Sequence, residues 1–375
     1  MPLPNKQLRR PLDRDEIAFI QSENLICKCD FTYFLERYYP VDIDPGVSDK
    51  ILEQKIGVPD TLLDSQYHII SALGKREEEC YAELRKYKFT AGIHALAIKC
   101  RQILATTTMR AASIHRMHLW PGTRAFAASL DDKRLSDIYT RDKLAMDNLP
   151  WFQRADLCVE RQNAERKFSA PLDSRISYES ENQITGIGTG AQFDIAHLTE
   201  VPLWKMPGKI NFSFVPSLPR SVSTLSFQEG TSFGKGDYWH STTESARNKL
   251  SGFEHYTYIF CPWYINKMKY RANVPDDWRP DAETLKHADL IERTSPEFFG
   301  GKTVRATKSQ LYWWQITRAQ HLRNGELATF YTNYPATPEQ SFQNFSQGAL
   351  PAELIEAMDL DCLDPIAVYE LDIYA

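Results

Sequence analysis

The sequence predicts an α/β protein with a mostly parallel central sheet flanked by helices. Short apolar runs typical of buried strands alternate with longer segments of helical periodicity, which is the pattern of βαβ units. Polar residues follow several of these runs directly, and open α/β sheets bind their ligands at the carboxyl ends of strands. With 375 residues, of which 42% are hydrophobic, the chain can form one large domain or two smaller ones.

The predicted elements follow from hydrophobic periodicity and from turn residues. Strands are expected at residues 93–98, 124–128, 174–181, 193–198, 224–228 and 256–260. Helices are expected at residues 30–39, 62–73, 77–88, 106–117, 131–146 and 352–358, with a further helical region over 278–323. A loosely held polar arm over residues 1–25, a loop over 40–59 and a glycine-rich turn over 186–190 complete the prediction.

Composition narrows the class of protein. The formal net charge of −5 argues against a polyanion-binding surface along the whole chain, although a local basic patch remains compatible with it. The seven cysteines are scattered and odd in number, and no pair has zinc-site spacing, so we expect reduced thiols in a cytosolic compartment. No apolar run has the length of a membrane span or of a signal peptide, so we expect a soluble intracellular protein.

The stretch HALAIKCRQILATTT, residues 94–108, joins a buried strand to a cationic turn and three threonines. Nucleotide phosphates are bound by such loops, because helix N-terminal N–H groups and a cation neutralise the oxygens while a hydroxyl holds Mg²⁺. Lys99 and Arg101 are the candidate cations, and Thr106 or Thr107 is the candidate magnesium-side hydroxyl. The alternative interpretation is an ordinary loop with two surface cations.

Acidic residues follow two later strands. Glu200 comes after the apolar run 195–198, where a carboxylate beside a phosphate loop can orient and deprotonate an attacking water. The alternative is a strand-end acid exposed to solvent. Glu229 and Thr231 end the next strand, where they could sense the γ-phosphate; the alternative there is a simple turn, since glycines follow.

Two further polar residues have competing interpretations. Gln66 lies in the helix before the first strand, where its amide could contact the adenine edge, or it could be a solvent-facing helix residue. His197, within a predicted strand, is interpreted as a core histidine rather than as a ligand.

Taken in order, these stretches resemble the ATPase domain of the large terminase subunit, the packaging motor of tailed bacteriophages and related viruses. The resemblance covers roughly residues 30–350. The matching stretches are LLDSQ (62–66), KCRQILATT (99–107), the turn at 186–190, AHLTEVPLW (196–204), VPSL (215–218), QEGT (228–231) with Gly234 and Gly236, CPWY (261–264) and FYTNYPATPEQSF (330–342).

The resemblance implies a P-loop NTPase fold of the ASCE type that hydrolyses ATP with Mg²⁺ and drives double-stranded DNA into a procapsid. It implies a homo-oligomeric ring docked on a portal protein, a small terminase subunit as partner, no membrane, and action in the cytoplasm of an infected host cell. It also implies roles for individual residues: Gln66 contacts adenine, Lys99, Arg101 and Gln102 belong to the phosphate loop, Thr106 and Thr107 lie on its magnesium side, Glu200 is catalytic, and Glu229 and Thr231 form the coupling motif.

The sequence departs from the family at three positions. Leu104 stands at the loop glycine, Ala105 at the usual lysine and Thr199 at the usual magnesium-facing aspartate, so Mg²⁺ is expected to be held mainly by Thr106 and water. An alternative function follows from these departures: a structural relative that binds portal or DNA without turning over ATP. A trans-acting arginine is expected, with Arg134 and Arg141 as candidates.

The resemblance also divides the chain. Residues 1–60 are expected to form an N-terminal arm and helical lead-in, residues 61–275 the ATPase core, and residues 276–375 a helical lid or linker. The nuclease domain that follows the ATPase in this family is expected to be absent from this chain.

Overall fold

The computed structural model describes residues 11–39, 64–150, 152–153, 157–158, 165–168, 172–181, 192–210, 214–267 and 269–343. The strands within them are β1 (Ile93–Lys99), β2 (Arg124–Ser129), β3 (Leu157–Cys158), β4 (Glu165–Phe168), β5 (Arg175–Ser180), β6 (Ile195–Thr199), β7 (Leu225–Gly230) and β8 (Tyr256–Cys261). The helices are α1 (Arg14–Cys29), α2 (Phe31–Tyr38), α3 (Asp64–Tyr87), α4 (Ala105–Leu119), α5 (Asp132–Asn148), α6 (Val215–Ser217), α7 (Tyr238–Arg247), α8 (Ala282–Phe298), α9 (Lys308–Arg323), α10 (Leu327–Asn333) and α11 (Pro338–Ser341).

The described strands form one sheet in the order β3-β4-β5-β2-β6-β7-β1-β8. The six strands from β5 to β8 in this order are mutually parallel, and β4 pairs antiparallel with both β3 and β5 at one edge. The predicted fold class, a mostly parallel sheet flanked by helices, is therefore confirmed.

Strand β1 pairs with β7 on one side and with β8 on the other, and it is buried along its whole length, in agreement with its apolar run at residues 95–98. Successive side chains of a strand point to opposite faces, so Ala95 and Ala97 pack with one hydrophobic cluster while Leu96 and Ile98 pack with the other. The first cluster also contains Phe34 of α2 and Trp314 of α9. The lead-in and the later helices therefore share a core with β1, while the expected boundaries at residues 60 and 275 remain predictions.

Two helix predictions need correction. The segments expected at residues 62–73 and 77–88 form the single helix α3, because Gly74 is accommodated inside the helix instead of ending it. The polar arm is also shorter than expected, since α1 begins at Arg14. A capping box between Asp13 and Glu16 fixes that start by satisfying the first N–H groups of the helix.

Several predictions fall outside the described residues: the loop over 40–59, the turn over 186–190 and the helix over 352–358. Within the described part, no helix combines the length and the apolar character needed to cross a lipid bilayer. The cysteines whose side chains are described are free thiols; they are Cys27, Cys29, Cys80, Cys100 and Cys261.

Candidate active site

Three neighbouring strands bring the predicted site residues to one edge of the sheet. β6, β7 and β1 lie side by side and parallel, so their carboxyl ends open at the same edge. Lys99 ends β1, and Glu200 directly follows the end of β6. Glu229 lies one residue before the end of β7, where its register partner on β6 is Thr199. Residues far apart in the chain therefore meet at one point of the sheet.

The loop between β1 and α4 has the backbone of a glycine-containing turn without any glycine. Leu104 is the N-terminal cap of α4 and has φ 62° and ψ 20°, in the left-handed region; Gln102 has φ 53°. A side chain in this conformation costs roughly 1–2 kcal/mol per residue. No side chain caps the helix at Leu104, so the first-turn N–H groups of α4 keep the arrangement that suits an anion.

Lys99 lies between two carboxylates. Its Nζ is 3.0 Å from Oε2 of Glu229 and 3.4 Å from Oε1 of Glu200. The lysine is 8% exposed, so the surface-cation interpretation is wrong for this residue. Burial alone would lower the pKa of the Lys99 ammonium, but the two carboxylates raise that pKa well above its ordinary value. The cation is therefore held charged at the point where β1, β6 and β7 meet.

Glu229 is the innermost member of this group and is fully buried. Its Oε1 accepts hydrogen bonds from the hydroxyls of Thr106, at 2.6 Å, and Thr199, at 2.5 Å. Nε2 of His197 lies 3.4 Å from the same oxygen. Burial alone would raise the pKa of the Glu229 carboxyl, but Lys99, His197 and Thr106 lower it well below its ordinary value. The turn interpretation of Glu229 is wrong, because β7 continues through this residue.

Glu200 lies nearer to solvent than Glu229, with 27% of its side chain exposed. It has φ 58° and precedes a 3-10 turn over Val201–Leu203, so its backbone is strained at the end of β6. Non-glycine residues held in the left-handed region cluster at functional sites. The alternative, a strand-end acid exposed to solvent, holds only in part, since Glu200 is partly exposed but pairs with Lys99.

The turn after β6 packs directly against the end of β7. A Cβ placed on Gly230 would lie 2.2 Å from Cδ of Pro202, closer than side chains tolerate. The glycine therefore permits the contact that holds the two strand ends together, and with them the acids Glu200 and Glu229.

A cleft of about 470 Å³ opens at this edge of the sheet. It is lined by Lys99, Arg101, Gln102, Arg134, Glu200, Leu203, Thr231, Ser232, Phe233, Thr329, Thr332 and Asn333. Arg101 is exposed and donates from Nε to Oδ1 of Asn333 at 2.8 Å, so a contact from α10 orients it. Arg134 also reaches the cleft, although the sequence suggested it only as a residue acting in trans.

A second cavity of about 520 Å³ lies at the opposite end of the strands, beside Ile93 and Leu225. It contains none of the strand-end acids or loop cations described above. Lys99, Glu200 and Glu229 lie instead at the carboxyl ends of the strands, which is where parallel sheets bind ligands.

Two sequence interpretations concern residues away from the cleft. Gln66 is fully buried and its amide donates to the Thr108 hydroxyl at 3.2 Å, so the solvent-facing interpretation is wrong and its contact with adenine remains a prediction. His197 is fully buried, as expected of a core histidine, and burial lowers its pKa. Thr107 is partly exposed on the first turn of α4 beside Thr106.

Sequence reasoning missed two features of the site. It did not connect Glu229 with Thr106, because the register between β1 and β7 relates residues about 130 positions apart. It also missed that Thr332 and Asn333 line the cleft. The position of both residues in the segment 330–342, already singled out by its resemblance to the family, was the available signal.

Comparison with known proteins supports the fold. No protein-family model matches the chain, and no curated protein sequence matches it. The crystal structure of the HK97 bacteriophage large terminase matches with a TM-score of 0.50 and 11% identity, over 83% of this chain and 55% of that chain. The chain shares the fold of a phage large terminase. The resemblance inferred from the sequence is thus confirmed at the level of the fold.

Two weaker likenesses belong to the same kind of protein. The large terminase ATPase domain of a Thermus phage matches with a TM-score of 0.36 and 11% identity, over 46% of this chain and 76% of that one. The large terminase of a thermophilic bacteriophage matches with a TM-score of 0.34 and 10% identity, over 62% and 53%. The chain spans about half the length of the HK97 terminase, so the likeness concerns the shared domain.

Proposed function

We propose that this chain hydrolyses ATP with Mg²⁺ and is the motor domain of a viral large terminase. The observation that carries the proposal is the meeting of Lys99 and Glu200, 3.4 Å apart, in a cleft lined by Arg101 and Gln102 of the loop before α4. A buried cation, a strand-end acid and an uncapped helix start are the parts that phosphoryl transfer requires.

In this proposal Glu200 accepts the proton of the water that attacks the γ-phosphate. Its partly exposed carboxylate lines the cleft, so it can reach a water there. Lys99 and Arg101 neutralise the charge that develops on the phosphate oxygens, and the hydroxyls of Thr106 and Thr107 hold the magnesium side. Mg²⁺, when bound, supplies charge stabilisation to the β- and γ-phosphates.

The described residues fit a nucleotide-bound Mg²⁺ better than a metal held by protein alone. Among them, no group of three or more His, Cys, Asp or Glu side chains could hold a metal ion. Mg²⁺ at nucleotide sites takes one or two protein oxygens and completes its shell with phosphate oxygens and water. The hydroxyl of Thr106 beside the carboxylate of Glu229 offers that kind of oxygen set.

Three further residues have roles in this proposal. Gln102 and Thr231 line the cleft and would contact the phosphates from two sides. Gln66 would contact adenine after its amide exchanges the Thr108 hydroxyl for the base.

Hydrolysis is proposed to drive double-stranded DNA into a procapsid. A homo-oligomeric ring on the portal protein, with the small terminase subunit as partner, is part of the same proposal. The shared fold with the HK97 large terminase supports it. DNA-stimulated hydrolysis by the purified chain is the measurement that tests this coupling.

The catalytic assignment is tested by the substitution Glu200→Ala. We expect turnover to fall by at least about a thousandfold while the affinity for a fluorescent ATP analogue stays within a few-fold, because Glu200 acts on the water and not on the resting nucleotide. The matched control is Glu244→Ala, which removes an acid on α7 with 34% of its side chain exposed. Unchanged steady-state hydrolysis in Glu200→Ala would remove Glu200 from this role.

One observation favours the alternative, a structural relative that does not hydrolyse ATP. Leu104 keeps a side chain at the left-handed position of the loop, where a Cβ crowds an approaching phosphate. Absence of saturable, Mg²⁺-dependent binding of the ATP analogue to the wild-type chain would favour this alternative.

A further inference from the structure

We propose that Glu229 supplies the carboxylate facing the nucleotide-bound cation, from the strand next to the one on which an acid is expected. This inference rests on the proposed function and deepens it. At the end of β6 the position of the expected aspartate is occupied by Thr199, which offers only a hydroxyl. The acid lies instead on β7, directly beside Thr199 in the register of the two parallel strands.

The register explains why an acid on β7 reaches the same place. Parallel neighbours lie about 4.8 Å apart, and residues in register sit at the same height along the sheet. The glutamate side chain of Glu229 is one methylene longer than an aspartate would be. This length lets the side chain extend from β7 towards β6, where its Oε1 accepts a hydrogen bond from the Thr199 hydroxyl at 2.5 Å.

The contact with Thr106 connects the acid to the phosphate loop. Oε1 of Glu229 accepts from the Thr106 hydroxyl at 2.6 Å, so the carboxylate lies within one hydrogen bond of the magnesium-side oxygen. Oε2 lies 3.0 Å from Nζ of Lys99, the candidate phosphate cation. Through its two oxygens, Glu229 therefore contacts both Thr106, the candidate magnesium-side hydroxyl, and Lys99, the candidate phosphate cation.

The burial of Glu229 argues for a role beyond packing. A fully buried carboxylate is costly unless it is paired, and replacing such pairs by apolar side chains is often neutral or stabilising. The competing explanation is that Glu229 only neutralises buried Lys99. The two explanations differ in what they predict about metal: a neutralising acid affects nucleotide binding equally with and without Mg²⁺.

The test measures the affinity of a fluorescent, non-hydrolysable ATP analogue in Mg²⁺ and in EDTA, and takes the ratio as the metal coupling. In Glu229→Gln we expect this ratio to fall roughly ten- to hundredfold, the usual effect of losing a group that supports a metal. The double variant Thr199→Asp with Glu229→Gln should recover most of the ratio, because it returns an acid to β6. Glu200→Gln should lose turnover but keep the metal coupling.

Two further measurements keep the test decisive if Glu229→Gln folds poorly. Glu229→Asp retains a charge beside Lys99 but withdraws it by one methylene, so the coupling should fall while affinity in EDTA stays within about threefold. Mn²⁺ binding followed by electron paramagnetic resonance, in the presence of the analogue, should weaken in both variants and recover in the double variant.

The outcomes separate the two proposals. Metal coupling unchanged in Glu229→Gln, or a loss of affinity of equal size in Mg²⁺ and EDTA, would overturn the role of Glu229 while leaving ATP hydrolysis standing. A wild-type chain that does not bind the analogue at all would overturn the proposed function itself.

Discussion

Arg110 of α4 and Asp142 of α5 form a buried ion pair, with 2.8 Å between Nη2 and Oδ2. The arginine is 2% exposed and the aspartate fully buried, and the Tyr178 hydroxyl of β5 donates to the same Oδ2 at 2.7 Å. The pair therefore ties α4, the helix that follows the loop after β1, to its neighbouring helix and to the sheet.

We expect Asp142→Asn to lower the free energy of unfolding by about 3–5 kcal/mol, because it leaves the Arg110 charge buried without a counter-charge. Urea denaturation measures the change. The control is Asp147→Asn, which removes the partner of Lys143 on the exposed face of α5 and should change stability by less than about 0.5 kcal/mol. Equal effects of the two substitutions would contradict the assigned role of the buried pair.

Substitutions at Leu104 measure the backbone strain in the loop between β1 and α4. Leu104→Gly and Leu104→Ala both remove its packing against the core, but only glycine relieves the left-handed backbone. Relief is worth about 1–2 kcal/mol, and the flexibility of glycine in the unfolded chain offsets about 0.4–1 kcal/mol, so the glycine variant should be more stable than the alanine variant by up to about 1.6 kcal/mol. We also expect it to bind the ATP analogue more tightly than wild type. A glycine variant less stable than the alanine variant would show that the backbone at Leu104 is unstrained.

Gly230 is expected to be intolerant of any side chain. In Gly230→Ala the new Cβ meets the rigid ring of Pro202, so the end of β7 must shift, with an expected loss of about 1–3 kcal/mol and a weaker affinity for the nucleotide analogue. Thermal denaturation and analogue titration measure the two effects. Gly74→Ala is the matched control, because a Cβ inside α3 has nothing within 4 Å and should stabilise by about 0.5–1 kcal/mol. A neutral Gly230→Ala would mean that the two strand ends are not held by this contact.

His115 predicts a specific loss of stability in acid. Burial lowers its pKa from 6.5 to about 4, and its Nε2 lies 2.6 Å from the carbonyl oxygen of Cys27. Between these values the unfolded chain binds a proton that the folded chain does not, so the free energy of unfolding falls as the pH drops through this window. The slope is at most about 1.4 kcal/mol per pH unit for this group, and its contribution becomes constant about one pH unit above 6.5, where the unfolded chain has also lost the proton.

We therefore expect His115→Gln to show a shallower loss of stability than wild type between about pH 7 and about pH 5, measured by urea denaturation at each pH. The control His255→Gln removes an imidazole with 54% of its side chain exposed. Parallel pH profiles for His115→Gln and wild type would exclude His115 as a source of the acid sensitivity.

The sequence predicted the positions of the six parallel strands, but not the two short antiparallel strands β3 and β4. The run at residues 93–98 became β1, one residue longer, because the apolar stretch at 95–98 suits an interior parallel strand that is buried on both faces. The end of β7 was harder to place. Glu229 and Gly230 have the composition of a turn, and only their contacts with Thr106 and Pro202 explain why they belong to the strand.

Pairings between distant residues could not be predicted. Arg110 lies in the helix predicted over residues 106–117 and Asp142 in the charged helix predicted over 131–146, but nothing in either segment indicates that the two side chains meet. The sequence likewise did not indicate that Lys99 contacts both Glu200 and Glu229. Periodicity indicates which face of an element is buried, but not which polar residue of another element meets it there. The site was therefore predicted by its residue types and positions, and its internal contacts came from the fold.

The two acids beside Lys99 differ in depth: Glu229 is sealed inside the protein, whereas Glu200 borders the cleft. In the proposed reaction, a phosphate entering the cleft would compete with Glu200 for the Lys99 ammonium and would contact Glu200 before Glu229. In the proposed reaction, substrate arrival would thus detach the outer acid from the lysine and leave it available to accept a proton. Glu200 would thus be paired with Lys99 in the absence of substrate, and the bound phosphate would free its carboxylate to act as the base.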